Sequence, residues 1–415
     1  MRVSNNPINT EQQRQHELLA LSYYQHPEVV AARQQVREFW LEHAAPGATM
    51  RSCFDWAFEE VMFGATVWAL NQDPLYPKVI TISRLPHRLG GRDIPGSRWG
   101  IDNPDSIYRV IPVHHEYRYL IRGRVAEQRL VENYFTLWGP EMQTLGLLNG
   151  KDLVVDAEGR FEITVDASAA DGRRNHVQTP PGSHEFYIRD VIANWGSDRA
   201  NELSIELLDP VPPRQPFSEA ENLDRIKTYM QRWAESTTRW NRQAMDGPVN
   251  AFEFTIDRDS DGALRNQIYI MGYFRLPDAD TTMVLDVNLG GADYFIAPIT
   301  NIWGTTNQIT DRTGCLNRHQ SRANPDGTYT FVLSLRDPGV HNWLDPSDLD
   351  EGILTLRWAE FTGGTPGPDL GVRQRLVAHD QLQQELSGDH HWLTPAERYR
   401  QLTDRAQSYA WRLEE

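Results

Sequence analysis

A mainly β fold with helical decorations, built from two pseudo-repeated antiparallel β-sandwich or jelly-roll-like units, is the architecture this sequence predicts. Three observations predict it. One sequence grammar is written twice. Asn133-Tyr134-Phe135 leads to Trp138-Gly139, then Gly159-Arg160-Phe161, then Asn175 and a loop to Ile188-Arg189. Asp293-Tyr294-Phe295 leads in the same way to Trp303-Gly304, then Gly327-Thr328-Tyr329, then Asn342 and a loop to Leu356-Arg357. A duplicated unit implies two similar layers packed about a pseudo-twofold axis, and the seam between them is the natural place for a site. Short alternating apolar runs at 117–125, 130–137, 161–165, 185–191 and 202–208 are separated by Gly, Pro and Asp/Asn turns, as in half-buried antiparallel strands. Helical spacing, by contrast, is confined to the two ends and to one segment between the copies.

Taken in order, residues 1–95 form an N-terminal helical region. The segment 27–43 is rich in helix formers and breaks at Pro46-Gly47; a second, apolar helix at 54–70 carries Trp56, Val61, Phe63, Val67 and Trp68. This hairpin must lie on something, and one of the β units is expected beneath it. Residues 96–215 form the first β unit, closed by a proline-rich connector at 210–216. Residues 216–250 are a connecting helix, with Ser218 as cap, Glu221 at the reciprocal position and an apolar face of Leu223, Ile226, Met230 and Trp233. The second β unit occupies 251–365. A helical tail spans 366–415, its last helix opened by the Thr394/Glu397 pair.

At 415 residues the chain has room for two or three real cores. A formal net charge of −16 argues against nucleic acid and against an anionic membrane surface. No run approaches the length of a membrane span, and the polar stretch 1–15 lacks an apolar leader core, so a cytoplasmic protein is expected. Cys53 and Cys315 make no disulfide framework and no spaced thiolate zinc set. The 13 Trp suit a stacking site, but core packing is the plainer explanation. No phosphate-cradling glycine loop or nucleophile elbow is present, and no cofactor or metal is expected.

The second unit carries a recognisable string: Asn301-Ile302-Trp303, Cys315-Leu316-Asn317 with Gln320, Asp326-Gly327, Asp337-Pro338-Gly339-Val340-His341-Asn342-Trp343-Leu344-Asp345, then Arg357-Trp358. Asn103-Pro104-Asp105 with Tyr108, the loop from Asn175 to Gly182, Arg189, Asn194-Trp195 and Thr394-Pro395-Ala396-Glu397-Arg398 extend it. Over about 95–413 the chain resembles the DUF1214 family, which has proline where His341 stands, serine at Cys315, and a different continuation at Pro346-Ser347. The resemblance implies a mostly β fold, no assigned activity, and an association with the catabolism of steroids, terpenoids or aromatic compounds.

Four groups of residues could carry chemistry. Arg189 and Arg357 each interrupt an apolar strand, and a buried guanidinium must be paired. The plainer partners are acidic side chains, Asp190 or Asp198 for the first and Asp345 for the second; the functional alternative is a ligand carboxylate or sulfate gripped in fork geometry. Asn175 and Asn342 stand in the matching loops. His341 and His114 are candidate proton carriers, with Asp345 as the third catalytic candidate. Trp303, Trp343, Asn301 and Tyr108 would wall the ligand. The turn at 257–262 begins like a calcium loop but has Ile268 where the bidentate glutamate belongs. The expected function is a cofactor-independent lyase, isomerase or hydrolase acting on a small hydroxylated or carboxylated lipophilic compound. The alternative is a noncatalytic carbohydrate- or ligand-binding sandwich with open tryptophan faces. The expected partner is a small molecule, and a homodimer is left open.

Overall fold

The computed structural model describes residues 6–414 apart from 212, 214–215, 253–266, 362 and 387–389, so the aspartate-rich turn at 257–262 lies outside the described residues. Four helices open the chain: α1 (Glu11–Tyr24), α2 (Pro27–Ala44), α3 (Ala48–Ser52) and α4 (Phe54–Ala69). Thr10 caps α1 by accepting from the Gln13 N–H, and Pro27 at the first turn of α2 costs no hydrogen bond there. Helix α4 is apolar around nearly its whole circumference because it is buried on nearly every side.

Three short strands follow, β1 (Ile80–Ile82), β2 (His87–Leu89) and β3 (Arg92–Ile94). The region 1–95 is therefore not wholly helical: β1 pairs with the first β unit. That unit comprises β4 (Ser106–Pro112), β5 (Tyr119–Arg124), β6 (Glu132–Trp138), β7 (Thr144–Asn149), β8 (Arg160–Asp166), β9 (His176–Gln178), β10 (Glu185–Val191) and β11 (Glu202–Leu207). Helix α5 (Glu219–Met245) then crosses over, opened by a Ser218/Glu221 capping box. The second unit comprises β12 (Gln267–Arg275), β13 (Thr281–Asn288), β14 (Ala292–Thr300), β15 (Cys315–Asn317), β16 (Tyr329–Leu333), β17 (Trp343–Leu344), β18 (Glu351–Phe361) and β19 (Gly371–Ala378). The expected helical tail thus begins with a strand, and only α6 (Leu382–Glu385) and α7 (Pro395–Tyr409) are α-helical in it.

Strand for strand, the two units are wired alike. The sheets run β1-β4-β10-β6-β7 and β11-β5-β8-β9 in the first half, and β12-β18-β14-β15 and β17-β16-β13-β19 in the second. Moving eight strands along the chain converts β4-β10-β6-β7 into β12-β18-β14-β15, and β11-β5-β8-β9 into β19-β13-β16-β17. Pairing is antiparallel except at one matched place in each half, β8 with β9 and β16 with β17, which run parallel. None of these sheets closes into a barrel. Each half has its own core between its two sheets: Ile121, Phe135, Phe161 and Phe186 in the first, Leu285, Phe295, Phe331 and Leu356 in the second. A third core lies outside both. There α2, α4 and α5 press Trp40, Phe54, Trp68 and Trp233 against Tyr108, Trp138 and Tyr187 of the first half and Tyr273 and Ile353 of the second.

The matched asparagines explain the parallel pairs. Asn175 accepts from the Val154 N–H and donates to the Val154 carbonyl, while its own carbonyl receives the Thr164 N–H. Asn342 does the same with Arg322, and its carbonyl receives the Val332 N–H. An amide side chain can imitate one rung of a sheet because it offers a donor and an acceptor side by side. Asn342 is the more deeply buried and also donates to the Thr330 carbonyl. Asn342→Ala is expected to lower stability in urea unfolding by about 2 kcal/mol, more than Asn175→Ala, because three backbone groups lose a partner, the Thr330 carbonyl in a buried bond.

A candidate site at the seam of the two sandwiches

Side-chain alternation sends the two arginines away from their own cores. In β10, Phe186 and Ile188 point into the first sandwich, and in β18, Leu354, Leu356 and Trp358 point into the second. Arg189 and Arg357 therefore lie on the outer faces. These faces meet. Gln267 of β12 donates to both oxygens of Glu132 of β6 at 2.6 Å. Asn103 donates to the Tyr294 hydroxyl at 2.8 Å, and Asn317 to Asp105 at 2.8 Å. Both guanidinium groups act electrostatically on the same three side chains, Glu132, Tyr187 and Tyr269, so they share one environment.

The environment is layered. Across β10, Arg189 stands opposite Tyr108 of β4 and Tyr134 of β6. Across β18, Arg357 stands opposite Tyr269 of β12 and Ile296 of β14. Each half thus sets an arginine beside a tyrosine on the neighbouring strand. The Arg189 guanidinium carbon is 4.7 Å from the Tyr187 ring centre, and that of Arg357 is 5.5 Å from the Tyr269 ring centre, both in cation–π range. Arg357 is only 7% exposed. One of its terminal nitrogens donates to the Ile101 carbonyl, and its Nε is buried without a hydrogen-bond partner among the described residues.

The acidic partners expected for the arginines are otherwise engaged. Asp345 pairs with Arg312 at 3.3 Å and accepts from the Ser347 N–H, so it is not the counter-ion of Arg357. Asp190 pairs with Arg109 and accepts from Asn133 and the Asn201 N–H. Asp198 accepts from the Asn194 N–H.

Glu132 is the residue the sequence did not yield. It is fully buried at the start of β6, on the same face as Tyr134. Burial, opposed by the hydrogen bonds from Gln267, pushes its carboxyl up to about 7; nearby Glu360 raises it further, and Arg189 and Arg357 pull it down. A carboxylic acid poised near neutrality beside a buried cation is the pairing that proton-transfer sites use. Its signal was faint: an acidic residue two positions ahead of Tyr134 in a strand otherwise without charge. Gln267 and Tyr269 were missed as well, because the strand holding them had not been delimited.

Most of the other sequence candidates lie elsewhere. Of the walls expected, Tyr108 is at the seam, its hydroxyl accepting from the Asn103 N–H at 3.1 Å. Trp303 is fully buried against Trp40 and Phe54 and donates to the Met50 carbonyl, anchoring the helices. Asn301 folds the turn before it, accepting from the Trp303 N–H and donating to Thr305. Trp343 is buried under α7, with Arg398 over its ring and its indole N–H on the Ser334 carbonyl. His341 contacts Asn342 and Gln401 there, and burial lowers its affinity for a proton. His114 sits in the β4–β5 turn beside His115 and Tyr117. Asn175 and Asn342 are the strand clamps described above. Neither histidine nor Asp345 hydrogen-bonds or ion-pairs with a described residue of the seam. Among the described residues, no three His, Cys, Asp or Glu side chains form a metal-binding group, and no helix is long and apolar enough to cross a membrane.

No protein-family model and no curated relative matches the chain. The crystal structure of an uncharacterized protein from Burkholderia cenocepacia is similar, with a TM-score of 0.72 and 22% identity over 88% of this chain and 99% of that one. That likeness shows the fold alone. The VPA0106 protein from Vibrio parahaemolyticus reaches a TM-score of 0.43 at 11% identity, covering 67% of this chain and 90% of that one, too slight a likeness to build on.

The raised carboxyl makes stability depend on pH. The folded protein holds the Glu132 proton to higher pH than the unfolded chain does. Its contribution is therefore present at low pH and lost as pH rises from 4.5 towards about 7. Glu132→Gln is expected to remove about 3 kcal/mol of that decline in urea unfolding between about pH 4 and pH 8. An unchanged slope would show that Glu132 ionises as freely in the folded chain as in water.

Proposed function

We propose that this chain is a cofactor-independent acid–base enzyme, a lyase, isomerase or hydrolase, that acts on a small lipophilic carboxylic acid at the seam. The observation that carries the reading is Arg357: a buried guanidinium with no ion pair to a described carboxylate and an Nε without an acceptor. A cation kept in that state is costly unless an anion joins it, and a ligand carboxylate matches its geometry. Glu132, close to half-ionised at neutral pH, supplies or accepts the proton. The arginines then stabilise negative charge that develops on the ligand, in surroundings of low dielectric where such charge matching is most effective. Tyr108, Tyr187 and Tyr269 give the lipophilic body aromatic walls.

The reading keeps the paired sandwiches as descendants of one duplicated module and the chain as a relative of the DUF1214 proteins. A carbohydrate platform has less support, since it needs indole faces open to water and Trp303 and Trp343 are buried.

Two experiments test this function. In the first, a set of lipophilic carboxylic acids is incubated with the protein in D2O, and exchange at carbon is followed by NMR. Exchange that disappears in Glu132→Gln, while calorimetric binding persists, is the expected result; binding without exchange in the wild type would refute proton transfer at carbon, and with it the lyase and isomerase readings. In the second, Arg357→Met is expected to abolish carboxylate binding and leave the unliganded protein at least as stable as the wild type. A loss of several kcal/mol in the unliganded protein would assign Arg357 a structural role instead.

A further inference from the structure

From the same seam we infer the ligand's second recognition element: an uncharged oxygen, hydroxyl or carbonyl, set across a ring from the carboxylate. This rests on the function proposed above and adds the substrate class to it.

The two facing sheets run in the same direction. Glu132, beside Val191 at the end of β10, meets Gln267, beside Ala359 towards the end of β18. At the opposite ends, Trp138 and Tyr187 share a core with Tyr273 and Ile353. Tyr187, in the row next to Arg189 on β10, feels the Arg357 guanidinium as well, so the arginine rows and the rows next to them come close to one another. In that next row stand Thr136, opposite Tyr187, and Thr355, two residues before Arg357. Both are at most 3% exposed, and the hydroxyl oxygen of each is buried without a hydrogen-bond partner. One further row along β6, the Trp138 indole N–H is buried in the same condition.

Orphaned polar atoms are uncommon in a folded interior, and each loses free energy unless something joins it. Here they come from both sandwiches and fall in adjacent rows on the faces that meet. Beside them is the Arg357 Nε, also orphaned. One molecule that reaches Arg357 and the two threonines relieves three of them. Two residues of strand separate the arginine row from the threonine row, about 7 Å, which is the reach between para substituents on a six-membered ring. The threonine row is uncharged, so it selects a neutral oxygen rather than a second anion. Tyr187 packs between Tyr108 and Trp138, with centroid distances of 5.2 and 4.1 Å, so the row is bordered by aromatic rings. A hydroxylated or oxo-substituted ring carboxylate fits this spacing, with its carboxylate on Arg357 and the ring oxygen between Thr136 and Thr355.

Calorimetric titration of the full chain with 4-hydroxybenzoate, 3-hydroxybenzoate and benzoate tests the inference. The para isomer is expected to bind about five- to tenfold more tightly than benzoate, as one or two neutral hydrogen bonds give, and the meta isomer less tightly than the para. In a Thr136→Val/Thr355→Val double variant, nearly isosteric in the core, the preference disappears while benzoate binds as before. If all three acids bind equally to the wild type, the oxygen subsite is refuted and the carboxylate site stands. If none binds, the carboxylate site falls, and this inference with it.

Discussion

Both central sheets present a strand-borne guanidinium on the face opposite their own core, and neither face is left to water. Helices α4 and α5 and the other sandwich cover them, so each charge has to be balanced inside the seam. That constraint organises the molecule. Where the covering layer is helical, the faces carry stacked aromatics: Trp68, Trp99 and Trp233 over Tyr187 and Trp138. Where sandwich meets sandwich, apolar side chains such as Val191, Ile296 and Ala359 pack together and hydrogen-bonding groups stand among them. Asn103 with Tyr294, Asn317 with Asp105 and Gln267 with Glu132 bridge the halves. Arg98 ties Glu60 of α4 to the Thr306 carbonyl of the second half. A polar seam fixes the relative placement of its halves more narrowly than an apolar one, because displacement leaves buried donors unmet.

Of the residues in the matching string, those of 337–345 hold loops, whereas Asn103, Asp105, Tyr108, Arg189, Asn317 and Arg357 lie at the seam. Within 337–345, Asp337 and the Val340 carbonyl receive Arg398 of α7, Asn342 clamps Arg322, Trp343 lies under Arg398, and Asp345 holds Arg312. The string is a device for seating a terminal helix on the outer sheet of the second sandwich. An asparagine that mimics backbone and one that grips a ligand look the same in a sequence, since both need a donor and an acceptor on a short arm. Only the partner distinguishes them.

What the sequence made legible was local or repeated. Capping at Ser218 and Thr394, the break at Pro46 and the duplicated strand order follow from short-range chemistry and from comparing the chain with itself. Strands β1 and β19 escaped for different reasons. Three residues of β1 are too few to show a period, and the charged alternate positions of β19, Arg373 and Arg375, resemble a solvated tail until β13 is seen beside them. The arginines were found because a charge in an apolar strand is conspicuous. Glu132 was not, because its importance depends on which face of β6 it occupies and on what lies across the seam, and neither is encoded nearby.

The matched strand order explains the frame of the site, and the differences between the halves explain its contents. The Arg189–Tyr108 pair of the first half has its counterpart in Arg357–Tyr269 of the second, so both halves place a cation beside a phenol. The residue two before each arginine is Tyr187 in one half and Thr355 in the other. On the third strand, the position opposite the residue two past each arginine is Glu132 in one half and Tyr294 in the other. The first half thereby has the aromatic wall and the proton donor, and the second has the guanidinium whose Nε has no acceptor among the described residues. A symmetric seam would accept a ligand equally well in either of two orientations and would set any proton-transfer group at the correct carbon in only one of them. In the proposed site, unequal halves remove that ambiguity: the anion is drawn to Arg357, and the Glu132 carboxyl lies on one defined side.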